Sequence, residues 1–177
     1  MPFGESTILE KAIDNLLGSK VNEVIVVLGH KAEEVIKTLI AKPVKLVINP
    51  DYEQGMSTSV IAGLKLVDSQ AQAVMLALGD QPLVGSQTIN RLLEEFKNHD
   101  KGIALPTYHG RRGHPVIFDM KYKEKLLKLK GDIGARQIIR EHPEDILEVP
   151  VDCEGVCIDI DTMEHYLLEG VTQARKC

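Results

Sequence analysis

Three aspartates carry the first chemical signal in this chain. Asp159-Ile160-Asp161 sets two carboxylates at i and i+2, which on an extended strand point to the same face. Asp80 stands in Gly79-Asp80-Gln81-Pro82, directly after the apolar run Val74-Met75-Leu76-Ala77-Leu78. Together the three offer oxygen donors suited to a hard divalent cation such as Mg²⁺. Each also has a plainer reading. Gly79-Asp80 fits a turn whose aspartate bonds its own backbone. Asp161-Thr162-Met163-Glu164 fits a capping box that opens a helix.

Two further stretches could take an anion. Gly55-Met56-Ser57-Thr58-Ser59 places a glycine and hydroxyls where a helix begins, and exposed N–H groups there favour phosphate. Ser57 as an ordinary N-cap is the alternative. The segment from Thr107 to His114 gathers His109, Arg111, Arg112 and His114 among glycines, which suits either an anionic ligand or a plain solvated loop. Cys153 and Cys157 have three residues between them and lack the spacing of a zinc knuckle, so they read as structural. No Ser-His-Asp elbow is present.

These residues must be positioned by a fold, and the hydrophobic periodicity supplies one. Thr7 and Glu10 have capping-box spacing ahead of an amphipathic helix that Gly18 ends. Val24–Leu28 then reads as a buried strand, Lys31–Ala41 as a helix and Val44–Ile48 as a strand. A helix follows through Val60, Ile61, Leu64 and Leu66, then the Val74–Leu78 strand, then a helix around Thr88–Lys97. The order αβαβαβα means a doubly wound, mostly parallel sheet. In such a sheet ligands bind at the carboxyl ends of strands, which is where Asp80 falls. Farther on, Gly102–Pro106 and Pro115–Phe118 read as strands. Lys121–Lys128 and Ile133–Glu141 read as short helices. Ile146–Val149 and Val156–Ile160 read as short strands, with a last helix from Thr162.

Composition narrows the function classes. The 177 residues are one domain by length, 44% hydrophobic and 27% charged, with a net charge of -5. An acidic balance argues against binding duplex nucleic acid, which needs a clustered basic face. No apolar run is long enough to span a bilayer, and the first residues lack a basic and apolar leader pattern. With three cysteines and no disulfide framework, the expected location is cytoplasmic.

Taken as an ordered set, several motifs resemble the MobA-like nucleotidyltransferases, in particular their molybdenum cofactor cytidylyltransferase branch. They are Pro2-Phe3-Gly4, Asn49-Pro50 with Gly55–Ser59, Leu78–Pro82, Arg112-Gly113-His114-Pro115-Val116, Gly131-Asp132 and Asp159–Thr162. The resemblance implies a three-layer α/β/α nucleotidyltransferase fold and transfer of CMP from CTP to the terminal phosphate of a molybdopterin-type cofactor, with release of pyrophosphate. It implies Mg²⁺ held by Asp80, Asp159 and Asp161, with Asp80 and Asp161 catalytic. Gly55, Ser57, Ser59 and Gly79 would lie by the nucleotide, and Arg112, Gly113 and His114 by the second substrate. A molybdenum hydroxylase would be the enzyme served. Non-catalytic cofactor carriage and guanylyl or sugar-phosphate transfer are the alternatives. Members of this family open with a strand and a glycine-rich loop of the form Leu-Ala-Ala-Gly-x-Ser-x-Arg-Met-Gly, and this sequence begins just after that pattern. The expectation is an N-terminally incomplete single domain with weak or no catalysis. The Val24–Leu28 and Val74–Leu78 strands would lack the neighbour between them, each buried unpaired group costing on the order of 1–3 kcal/mol.

Overall fold

The structure, a computed structural model, describes residues 2, 3 and 6–160. A two-residue hairpin of β1 (Pro2–Phe3) and β2 (Ser6–Thr7) leads into α1 (Ile8–Leu17). The capping box forms as expected. The Thr7 hydroxyl accepts from the Glu10 N–H at 3.2 Å, and the Glu10 carboxylate accepts from the Thr7 N–H at 2.9 Å. Next come β3 (Ile25–Leu28), α2 (Ala32–Leu39), β4 (Lys45–Ile48), α3 (Met56–Leu64), β5 (Ala73–Leu76) and α4 (Ser86–Asn98). The remainder is β6 (Ile103–Tyr108), β7 (Arg111–Arg112), β8 (Val116–Asp119), α5 (Lys123–Leu126), α6 (Arg136–Glu141) and β9 (Ile146–Pro150).

Three layers follow from the period-two pattern of the strands. Val74 and Leu76 of β5, Ile103 and Leu105 of β6, and Val116 and Phe118 of β8 join one cluster with Leu64 of α3, Leu126 of α5 and Ile138 of α6. The alternate residues, Ala73, Met75, Ala104 and Ile117, join a second cluster with Ile89 and Leu92 of α4. Each face of the sheet is thus covered by helices.

Strand pairing is more mixed than a doubly wound pattern alone conveys. β3 and β4 pair in parallel, Ile25 opposite Lys45. In the five-stranded sheet β8 lies antiparallel between β5 and β6, so β5 and β6 run the same way, and β9 runs parallel to β6. β7 folds back on β6 as a hairpin, Thr107 opposite Arg112. The Thr107–His114 segment is therefore a strand pair with a turn rather than a plain loop.

Two expectations need correction. The strand expected at Val74–Leu78 is Ala73–Leu76, and all four of its residues are half-buried rather than buried on both faces. Among the described residues no ladder joins β5 to β3, and the two sheets are bridged by helices instead. Ile13 and Leu16 of α1 pack with Val24 and Val26, and Leu16 also belongs to the second cluster. On α3, Gly63 lies so near β3 that a Cβ there would sit 3.1 Å from Val27. The second correction is Val156–Ile160, which is not a strand. Glu154–Cys157 forms a 3₁₀ turn, after which the Ile158 N–H bonds back to the Gly155 carbonyl and the Ile160 N–H crosses to the Asp80 carbonyl, without the repeating pairs of a ladder. The last expected helix and Asp161 lie outside the described residues.

Candidate active site at the carboxyl ends of the strands

Three chain segments are tied together beyond the carboxyl end of β5. The first, residues 79–82, turns away from the sheet. The second contains Gly113 and His114, just before β8. The third is the 3₁₀ turn and the chain leading to Ile160. The Asp80 carbonyl accepts from the Ile160 N–H at 2.9 Å, and the Val156 carbonyl accepts from the His114 N–H at 2.9 Å. Gln81, only 5% exposed, donates its amide to Asp159 Oδ1 at 2.7 Å and reaches the Val156 carbonyl at 3.5 Å. Gly113 has to be glycine for this approach, since a Cβ there would lie 2.2 Å from the Val156 oxygen.

The side chains in this knot have matching chemistry. Asp80 and Gly79 line a cleft of about 410 Å³ together with Thr7, Glu34, Thr38 and Ile160. No lysine or arginine is among the described residues that line it. The carboxylates of Asp80 and Asp159, on adjoining segments, are oxygen donors of the type a hard divalent cation takes, so the residues fit such an ion. Among the described residues no three acidic, histidine or cysteine side chains converge into a complete cage. The third expected ligand, Asp161, is outside them. His114 has Nδ1 buried and without a hydrogen-bond partner among the described residues. Burial pushes the His114 imidazole below its ordinary pKa and the charge of Arg136 adds to that. The charge of Asp159 and a bond to the Leu76 main chain partly oppose them.

The start of α3 forms a second knot. Gly55 sits at φ 106°, and a Cβ on it would meet the Gly131 carbonyl at 2.7 Å. The Met56 N–H donates to Asp132 Oδ1 at 3.1 Å, and the Ser57 N–H and hydroxyl both donate to the Gly131 carbonyl, at 3.2 and 2.5 Å. Ser59 accepts from the Asn49 amide at 3.0 Å. The anion at this helix N-terminus is thus the protein's own Asp132. Arg112 forms a third arrangement, an ion pair with Glu148 at 2.7 Å on the β7 surface.

Of the expected residues, Gly79, Asp80, Gly113, His114 and Asp159 are brought together, and Gly55, Ser57 and Ser59 share the second knot. Gln81, Asp132 and Arg136 were not singled out from sequence for these roles. Gln81 and Asp132 lie inside quoted motifs, where an amide beside Pro82 and an aspartate after a glycine were the available signals. Arg136 reads only as part of the short helix expected at Ile133–Glu141. Its charge acts on His114, far from it in sequence. Cys153 is buried in the second cluster, consistent with a structural part.

Solved structures place this architecture in the nucleotidyltransferase fold. A protein of Mycobacterium tuberculosis H37Rv solved in complex with manganese superposes with a TM-score of 0.84 at 25% identity, over 95% of this chain and 88% of that one. A nucleotidyl transferase from Methanothermobacter thermautotrophicus shares the fold with a TM-score of 0.82 at 23% identity, over 97% of this chain and 82% of its own. The MobA-like NTP transferase domain profile matches residues 1–146, and the chain belongs to that family. Its relatives carry different names. The nicotine blue oxidoreductase of Paenarthrobacter nicotinovorans is 30% identical over 93% of this chain and 83% of its own. The molybdenum cofactor cytidylyltransferase of Escherichia coli K12 is 26% identical over 94% of this chain and 83% of its own. No helix among the described residues is long and apolar enough to cross a membrane.

Proposed function

We propose that this chain transfers CMP from CTP to the terminal phosphate of a molybdopterin-type cofactor, in the cytoplasm, in the service of a molybdenum hydroxylase. The observation that carries this reading is the knot that brings Asp80, Asp159 and His114 to the carboxyl ends of the strands. In the reaction an oxygen of the acceptor phosphate forms a bond to the α-phosphorus of CTP. The bond from that phosphorus to its bridging oxygen breaks, and pyrophosphate leaves with the electron pair. Catalysis is then mostly positioning and charge neutralisation. Asp80, Asp159 and Asp161 would hold Mg²⁺, and in this reading Asp80 and Asp161 are the catalytic pair. When bound, the cation supplies positive charge to the phosphate oxygens.

The other residues bind and orient. Gly79 lies beside Asp80 at the nucleotide, and its missing side chain lets Leu9 of α1 pack there, since a Cβ would lie 2.9 Å from Leu9 Cδ1. Gly55, Ser57 and Ser59 form a fixed wall by it, since their polar groups already fasten the start of α3. Arg112, Gly113 and His114 face the second substrate and shape its side of the site. Arg136 adds a positive charge near an anionic group.

The test is release of pyrophosphate from CTP, Mg²⁺ and a molybdopterin-type acceptor, with GTP and a sugar phosphate run in parallel. Release with CTP and the pterin acceptor supports the reading. Release only with GTP or the sugar phosphate replaces it with the corresponding transfer.

One observation favours a non-catalytic carrier of the cofactor: the cleft beside Asp80 has no cationic side chain among its described lining residues, and Asp132 already occupies the α3 N-terminus. Under that reading Asp80→Ala leaves partner binding intact. Under the first it abolishes Mg²⁺-dependent CTP binding.

A further inference from the structure

A carboxylate that binds a cation has to be kept charged and held still, and only certain neighbours allow both. In this structure the neighbour of Asp159 is an amide. Gln81 is almost wholly buried, its nitrogen lies 2.7 Å from Asp159 Oδ1, and the same nitrogen lies 3.5 Å from the Val156 carbonyl. Both partners are acceptors, so the nitrogen of the amide, not its oxygen, must face them. We infer that Gln81 is a positioning residue for the site: its amide sets the orientation of Asp159 toward the cation and ties that carboxylate to the 3₁₀ turn whose Val156 carbonyl also receives the His114 N–H. The inference rests on the reading of Asp80 and Asp159 as cation ligands.

The chemistry of the amide explains why glutamine suits this place. A lysine or arginine would neutralise Asp159 and compete with the cation. A carboxylate would repel Asp159 or share its proton. An aliphatic side chain would leave a carboxylate oxygen unsatisfied beside a buried turn. The amide N–H satisfies one lone pair of Oδ1 and leaves the negative charge in place, so Oδ2 stays available. The link extends further. Val156 accepts from both Gln81 and the His114 N–H, and Ile160 donates to the Asp80 carbonyl. One side chain therefore couples the segments bearing Asp80, Asp159 and His114. The position next to Asp80 in sequence makes that coupling short: a shift of Gln81 moves both acidic residues.

The experiment measures Mn²⁺ binding by the loss of the free-ion paramagnetic resonance signal, with CTP present, for the wild-type chain, Gln81→Met and Asp159→Asn. Thermal unfolding in chelator is followed in parallel. Gln81→Met keeps length and volume but has no donor. It is expected to weaken Mn²⁺ binding about 10–100-fold, to unfold within a few degrees of wild type in chelator, and to regain activity as Mn²⁺ is raised. Where Gln81→Met does not fold, Gln81→Asn keeps the amide but draws it back by one methylene and is expected to weaken binding in the same direction. A folded variant of either kind with wild-type Mn²⁺ affinity overturns the inference, as does a loss of thermal stability with metal affinity unchanged. If the wild-type chain binds Mn²⁺ no better than Asp159→Asn, the ligand reading itself falls and the inference falls with it.

Discussion

The two ends of the five-stranded sheet treat a carboxylate in opposite ways. At the end where β6 and β9 begin, Asp145 accepts from the Gly102 N–H at 2.9 Å, the Tyr122 hydroxyl at 2.6 Å and the Lys121 ammonium at 2.8 Å. Burial raises its pKa, but these donors, Lys121 first, outweigh it and hold the group down at about 2. The Tyr122 hydroxyl is correspondingly pushed up, by burial and then by Asp145. At the other end, where β5 finishes and β8 starts, Asp159 has an uncharged amide for its partner, Asp80 lines a cleft and His114 Nδ1 is buried without a hydrogen-bond partner among the described residues. The first carboxylate is saturated and neutralised, so it serves as a staple. The second has a neutral amide where the first has an ammonium group. The contrast between the two acids lies in their donors.

The comparison can be broken at either end. The largest expected effect is at the open end: Asp80→Asn should cut nucleotidyl transfer on the order of 10²–10³-fold, measured as pyrophosphate release, while the urea midpoint stays near wild type. At the closed end Asp145→Ala should do the reverse. It leaves Tyr122 and the Gly102 N–H without an acceptor and should cost about 2–3 kcal/mol in urea unfolding, with ligand binding retained by the folded fraction. The same residue gives a pH signature. Its folded pKa lies below the ordinary value, so its stabilisation is complete above about pH 4 and is lost as the pH falls through about 2. Acid unfolding of wild type should show this loss, and Asp145→Asn should not. The smallest effect is at Arg112, whose pair with Glu148 is half-exposed on both sides. Arg112→Ala should cost less than about 1 kcal/mol. A rise in KM for the phosphate-bearing second substrate would mark Arg112 as a binding residue beyond that pair.

What could be read from sequence was local, and what could not was non-local. The capping box at Thr7 and Glu10, the run through Val26 and Leu28, and the Gly79-Asp80 break all act over a few residues, and each is present. The antiparallel seat of β8 between β5 and β6 depends on pairing Val74 with Phe118, more than forty residues away, and no local pattern encodes it. Val156–Ile160 has the composition of a strand, but the 3₁₀ turn at Glu154–Cys157 takes its first residues, and its contacts are to the distant Asp80 and His114 segments. Asp159 was legible as an acid in a motif. Its partner Gln81 was not, because the bond between them spans 78 positions. Ser57 shows the converse. Its type and place at a helix start point to an anion, and an anion is there, supplied by the chain itself at Asp132.

Under the proposed function the open end of the sheet binds a nucleotide through a cation held by Asp80. The most direct measurement is thermal unfolding of wild type and Asp80→Asn with CTP, GTP or ATP, each with and without Mg²⁺. A nucleotide at about 100 times its dissociation constant should stabilise the folded chain by roughly 2.7 kcal/mol. A shift with CTP is expected in wild type, vanishing when either Mg²⁺ or the Asp80 carboxylate is removed. A cooperative transition that no nucleotide moves, or one that CTP moves equally in Asp80→Asn, would contradict it.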